Sequence, residues 1–125
     1  MDYTGFSGRE RARTATAASR NAIAVVIAFQ ADVDIEKPAS DEHRRRFEPL
    51  LNTIEEESAK FRKPVLVAHG DGHTYTVDHP ISARNVTRLE VPGSPLVGWV
   101  RVIVTPGSPE LFRFEQYVVP DWKYW

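Results

Sequence analysis

The longest uninterrupted apolar run lies at residues 22–29, which read Ala-Ile-Ala-Val-Val-Ile-Ala-Phe. β-Branched side chains without a polar interruption predict a strand buried on both faces of a sheet. The run stops at Gln30-Ala31-Asp32-Val33-Asp34, where polar side chains take over. Over residues 41–61 the period changes. Phe47, Leu50, Leu51, Ile54, Ser58 and Phe61 recur at the spacing of one helical face. Proline inside a continuous helix costs ~3 kcal/mol. Pro49 therefore divides the region into a short helical turn at 41–46 and a main helix that starts near the proline, which suits a first turn. Glu55, Glu56 and Glu57 make the outer face acidic, and Lys60, Arg62 and Lys63 suit the C-terminal end of the helix dipole.

A second apolar strand at 65–68 follows Lys63-Pro64. Strand, helix, strand is a βαβ unit, with parallel strands and a right-handed crossover. The remaining chain is strand-like. Residues 74–77 follow a Gly70-Asp71-Gly72 turn, and 86–91 end at Pro92-Gly93-Ser94-Pro95. Residues 97–105 and 111–119 are joined by Pro106-Gly107-Ser108-Pro109. The pattern predicts a single α/β domain over residues 22–125. It would hold a mixed β-sheet of about five to six strands, opened by the βαβ unit and continued by antiparallel strands, with one main helix packed on it. Residues 1–21 are polar, and their Ala12, Ala15, Ala18 and Ala22 bury little at helical spacing, so this stretch reads as flexible or weakly helical. Trp122, Tyr124 and Trp125 form an aromatic tail expected to pack on the body or on a partner.

Composition narrows the function classes. Hydrophobic residues make up 42% and charged residues 26%, the mix of a folded globular domain. Sixteen Lys+Arg against 17 Asp+Glu leave a formal charge of −1, with no general pull toward nucleic acid or anionic lipid. The basic cluster His43-Arg44-Arg45-Arg46 is flanked by Asp41, Glu42 and Glu48 and carries no interleaved aromatics, so it reads as a solvated helical face. The apolar run of eight residues is too short for a membrane span, and residues 1–21 carry Asp2, Arg9, Glu10, Arg11, Arg13 and Arg20 without the apolar core of a signal peptide. The expectation is a soluble protein, cytoplasmic by default, with neither nucleic-acid nor membrane partners. Zero cysteines exclude disulfides, thiolate metal sites and a cysteine nucleophile. No P-loop or nucleophile elbow is present, because Gly5-Phe6-Ser7-Gly8 lacks the strand it would need. His79-Pro80 reads as a turn, and Arg84-Asn85 as a loop able to contact an anion.

The chemistry-bearing stretch is Leu66-Val67-Ala68-His69-Gly70-Asp71-Gly72-His73. An apolar strand ends in two histidines and a carboxylate among glycines, which allow a sharp turn with positive φ and close backbone approach to a ligand. Imidazole and carboxylate together suit Zn, Mn or Fe. His69, Asp71 and His73 are therefore candidate metal ligands, against the plainer reading of a hairpin turn with surface histidines. Gln30 and Asp32 follow the first strand. If the two strands are parallel neighbours, they come to the same sheet edge and form a second candidate group.

Residues 22–119 as a set resemble the C-terminal half of a calcineurin-like metallophosphoesterase. The resemblance runs through Lys63-Pro64-Val65-Leu66-Val67-Ala68-His69-Gly70-Asp71-Gly72-His73, then Asn85-Val86-Thr87-Arg88-Leu89-Glu90, Gly93-Ser94-Pro95, Gly98-Trp99-Val100-Arg101-Val102 and Phe112-Arg113-Phe114-Glu115. It implies half of an αββα sandwich and a metal-dependent phosphoester hydrolase. The family's last ligand motif, Gly-His-x-His, falls on Gly70-Asp71-Gly72-His73. His73 matches its second histidine, Asp71 stands in place of the first, and Gln30 stands where another ligand histidine follows the earlier strand. The family's Asp-x-His, Gly-Asp and Gly-Asn-His-Asp/Glu motifs have no counterpart before Ala22. The expectation is a stand-alone, catalytically incomplete domain with at most weak metal or phosphate binding. The alternatives are a phosphoesterase active only as a dimer or with a partner chain, and a non-enzymatic interaction module. A homodimer or partner chain would cover the sheet face that half of a sandwich exposes.

Overall fold

The computed structural model describes residues 21–120. In chain order they form β1 (Val25–Ala28), α1 (Glu42–Arg45), α2 (Glu48–Phe61), β2 (Val65–His69), β3 (Thr76–Asp78), β4 (Val86–Glu90), β5 (Gly98–Val104) and β6 (Phe112–Val118). The α/β class and the parallel strand–helix–strand unit are those the hydrophobic pattern predicts. The expected weak helix before residue 21 and the aromatic tail at 122–125 lie outside the described residues.

Two expectations need correction. The strands do not form one sheet of five or six. Four of them make a mixed sheet in the order β1-β2-β4-β3, with β1, β2 and β4 parallel and β3 antiparallel, while β5 and β6 form a separate two-stranded sheet. The long β5–β6 hairpin satisfies its inner ladder by pairing seven residues of each strand with the other. The first strand is also shorter than its apolar run and is not buried on both faces. It lies at the sheet edge, with Val25 buried and Val26 54% exposed. A continuous apolar run marks a fully buried strand only when layers cover both sides, and the helix covers one.

The helices obey the local signals. Asp41 caps α1 by accepting from the Arg44 N–H at 2.9 Å, and Pro49 sits in the first turn of α2. Leu51, Thr53, Ile54 and Ser58 are the buried positions of α2. Ile54 packs with Val25, Val65, Val67, Ala83 and Val86, flanked by Ile27, Phe29, Leu50, Phe61 and Ile81. Val33, Ile35 and Leu51 form a second cluster beside it, flanked by Phe47. This packing assigns a face. Val65 and Val67 of β2 and Val86 of β4 look toward α2, so their period-two neighbours His69, Arg88 and Glu90 lie on that face as well. The intervening Leu66 and Leu89 belong to the opposite face, and they too are buried.

The end of α2 is tied to the sheet by one side chain. Arg62 ends the helix in the left-handed region at φ 62°, with its N–H on the Ser58 carbonyl. The Asn85 amide donates to Ser58 O at 2.7 Å and to Lys63 O at 2.8 Å, joining the helix end, the entry to β2 and the entry to β4. Removing both bonds with Asn85→Ala is expected to cost about 2 kcal/mol, read as a lower urea midpoint with an unchanged m-value.

Among the described residues no helix is long and apolar enough to cross a membrane.

Candidate metal centre

The parallel strands bring three chain segments to one edge of the sheet. β1 pairs with β2 and β2 with β4, and in the second pair His69 and Glu90 are direct partners. Both side chains fall on the α2 side by the alternation above. The loop after β1 is held against the turn after β2, where Gly70 N–H donates to the Gln30 carbonyl at 3.2 Å. Within that loop the Asp34 N–H donates to Asp32 Oδ1 at 3.0 Å, which fixes the Asp32 carboxylate. One donor atom from each of Asp32, His69 and Glu90 then lies within 4.8 Å of the others.

The imidazole has one nitrogen committed to a hydrogen bond and the other without a partner. His69 is 2% exposed and stacks on Phe29, with ring centroids 5.9 Å apart. Its Nδ1 stands 3.1 Å from the Gly70 carbonyl. A carbonyl only accepts, so Nδ1 carries the proton and Nε2 keeps its lone pair. That Nε2 is buried and has no hydrogen-bond partner. Metal-bound histidines share this arrangement, with one ring N–H on a carbonyl and the other nitrogen free for the ion.

The carboxylates supply negative charge, Glu90 from a buried position and Asp32 from a half-buried one. Burial pushes the Glu90 carboxyl above its ordinary range, a proton on both nitrogens of His69 would oppose the shift, and the neighbouring Asp32 charge adds to it. Arg88 is close enough to oppose it too, but its guanidinium is committed elsewhere. It forms a bidentate pair with Asp78, both bonds at 2.6 Å, and reaches Glu36 at 3.1 Å. Two carboxylates and an imidazole lone pair thus converge without a cation of their own, which is the donor set of Zn, Mn or Fe.

The turn at 70–73 packs directly over this group. An ideal Cβ on Gly72 would lie 1.7 Å from Glu90 Oε1 and 2.8 Å from Asp32 Oδ2. The positive φ values fall on Asp71 (70°) and His73 (62°), while Gly70 and Gly72 have none. The glycine signal therefore reports close approach to the acidic pair and not backbone handedness.

Of the residues singled out from sequence, His69 and Asp32 are in the group. Asp71 and His73 are exposed and are not among its three members. His73 Nδ1 instead bonds the Ser94 carbonyl at 2.9 Å. Gln30 contributes its backbone carbonyl to the loop contact and has an exposed residue surface. Glu90 was missed. Its signal is the pair of charges at alternate positions of the strand, Arg88 and Glu90, on the same face as Val86 and in phase with Val65-Val67-His69. Reading it required the β2–β4 register, which no local pattern provides.

A second polar knot stands next to the group. Asp34 is buried at φ 49° and pairs with Lys37 at 3.1 Å and with His43 Nδ1. Burial alone would raise the Asp34 carboxyl, but the bonds from Lys37 and His43 outweigh it and hold the group below the usual range. Part of the basic cluster around residue 43 thereby anchors the loop that carries Asp32.

No family model, curated protein or solved structure matches the chain.

Proposed function

We propose that the chain is a divalent-metal-binding α/β domain, with one Zn, Mn or Fe ion held by Asp32, His69 Nε2 and Glu90. The observation that carries this reading is the buried, unpartnered Nε2 of a histidine that is grouped with two carboxylates. Three protein donors leave coordination positions open to an outside ligand, as in reactive and exchangeable sites. The resemblance to calcineurin-like metallophosphoesterases supplies the class of that ligand, a phosphate or phosphoester oxygen, which a bound metal would polarise as a Lewis acid. In this reading the domain holds one ion where that family holds two, and phosphate binding outruns turnover. Gly70 O keeps the His69 ring in one tautomer. Asp34 N–H orients Asp32, and Phe29 keeps water from the imidazole face.

The test is metal titration of the chelator-stripped protein, followed by calorimetry and by the melting transition. One equivalent of Zn²⁺ or Mn²⁺ is expected to bind. Metal at a hundred times its dissociation constant is expected to add about 2.7 kcal/mol of stability. His69→Ala is expected to remove both signals. Absence of stoichiometric binding at millimolar metal, or unaltered binding in His69→Ala, would overturn the assignment.

A further inference from the structure

A cavity of about 470 Å³ lies between the β5–β6 hairpin and the four-stranded sheet. It sits at the amino ends of β2 and β4, near Pro64 and Asn85, at the opposite end of the parallel strands from the metal centre. The size falls within the range of small-molecule sites. Its walls come from two different sheets. Val77 and Thr87 line it from the face of the main sheet turned away from α2, and Phe112 and Phe114 line it from β6.

The polar groups around it divide into two kinds. His79 and Asn85 spend their donors inside the protein, His79 Nδ1 on the Val86 carbonyl at 3.0 Å and Asn85 on Ser58 and Lys63. Arg84 and Glu110 do not. Both line the cavity, Arg84 from the loop before β4 and Glu110 from the hairpin turn before β6. Among the described residues neither forms an ion pair, with the other or with any third group. The lining therefore includes a permanent cation from the main-sheet side, an acid from the hairpin side, and aromatic and aliphatic surface from both.

That pattern selects its occupant by charge. A simple anion meets Arg84 but is repelled by Glu110, and a simple amine meets the reverse. A molecule with one carboxylate, one ammonium group and an apolar body satisfies both walls and buries its body against Phe112, Phe114 and Val77. We propose that this cavity binds a small apolar zwitterion of the class of free aromatic or aliphatic α-amino acids. The proposal is independent of the metal centre.

The experiment follows amide and methyl NMR shifts of the full chain under titration with L-phenylalanine, 3-phenylpropionate and phenethylamine. L-Phenylalanine is expected to give saturable shifts at Val77, Thr87 and Phe114. Each singly charged probe is expected to bind about tenfold more weakly, the effect of one lost charge contact of ~1.4 kcal/mol. Glu110→Gln is expected to weaken L-phenylalanine by a similar factor and to leave 3-phenylpropionate unchanged or tighter. Arg84→Gln is expected to do the same for L-phenylalanine against phenethylamine. Both substitutions are at exposed positions and are expected to leave the fold intact. Any one of three results would overturn the proposal: no saturable shift at 20-fold the concentration of protein and above into the millimolar range, equal affinity for all three probes, or shifts that map away from the cavity.

Discussion

Gly72→Ala is expected to weaken metal binding about 100-fold while the domain stays folded. Gly72 has no left-handed φ, so alanine meets no backbone penalty there. What it meets is the acidic pair, with the added methyl 1.7 Å from Glu90 Oε1, 2.9 Å from Glu90 Cδ and 2.8 Å from Asp32 Oδ2. These are the ends of side chains, which can swing aside at modest cost, but swinging aside takes the Glu90 oxygen out of the group it forms with Asp32 and His69. Gly70→Ala is the matched control. A Cβ on Gly70 would find only Gln30 O and Val91 Cγ2, each at 3.5 Å, which is ordinary contact. Calorimetric titration of both variants with Zn²⁺ checks the pair. The expected outcome is near-normal binding for Gly70→Ala and loss for Gly72→Ala. Equal affinity in the two would mean that the group over which Gly72 packs does not hold the metal.

The same two glycines show what a sequence reveals and where it stops. Their presence beside His69 marked a turn at the end of an apolar strand, and that turn is where the structure has it. Their role was legible only as a choice between positive φ and close approach, because both demands produce glycine. Asp71 and His73 carry the positive φ instead, and these were the two residues that the local motif made most attractive as ligands. Side chains that follow one another through a tight turn point in different directions, so a cluster along the chain need not be a cluster in space. The reverse holds for Asp32, His69 and Glu90, which are far apart in the chain and are gathered by parallel register. Period-two alternation places His69 and Glu90 on the helix-facing side of their strands. Their pairing depends on β4 lying beside β2, although β3 comes between them in the chain. The same limit explains the sheets. Seven-residue alternation correctly marks β5 and β6 as strands, but alternation says only that a strand has two faces. It does not say which sheet it joins.

Glu90→Gln is expected to move two quantities in opposite directions. Without metal, the ionised Glu90 is an unfavourable group, buried and beside Asp32, and its carboxyl is raised from the ordinary value of 4.5. A carboxyl whose folded value lies above its unfolded one contributes nothing against folding at low pH, where both states are protonated. Its destabilising contribution appears as pH rises through the unfolded value and is complete above the folded one. Glutamine keeps the shape and removes the charge. The metal-free variant should therefore melt a few degrees higher than the parent at pH 7, and the gap should close as pH falls below about 4. With metal the order reverses. The parent gains the binding free energy, about 2.7 kcal/mol at a hundred times the dissociation constant, and the variant, with one anionic donor lost, gains little. Because metal and protons compete for Glu90, the parent's metal affinity should also fall as the pH is lowered. Melting curves of both proteins, with chelator across about pH 3 to 8 and with Zn²⁺ over the upper part of that range, read every arm. A variant that is less stable than the parent in chelator would show that Glu90 contributes a favourable contact to the empty fold. A variant that keeps the full metal-dependent rise would remove Glu90 from the centre and leave Asp32 and His69 without their third donor.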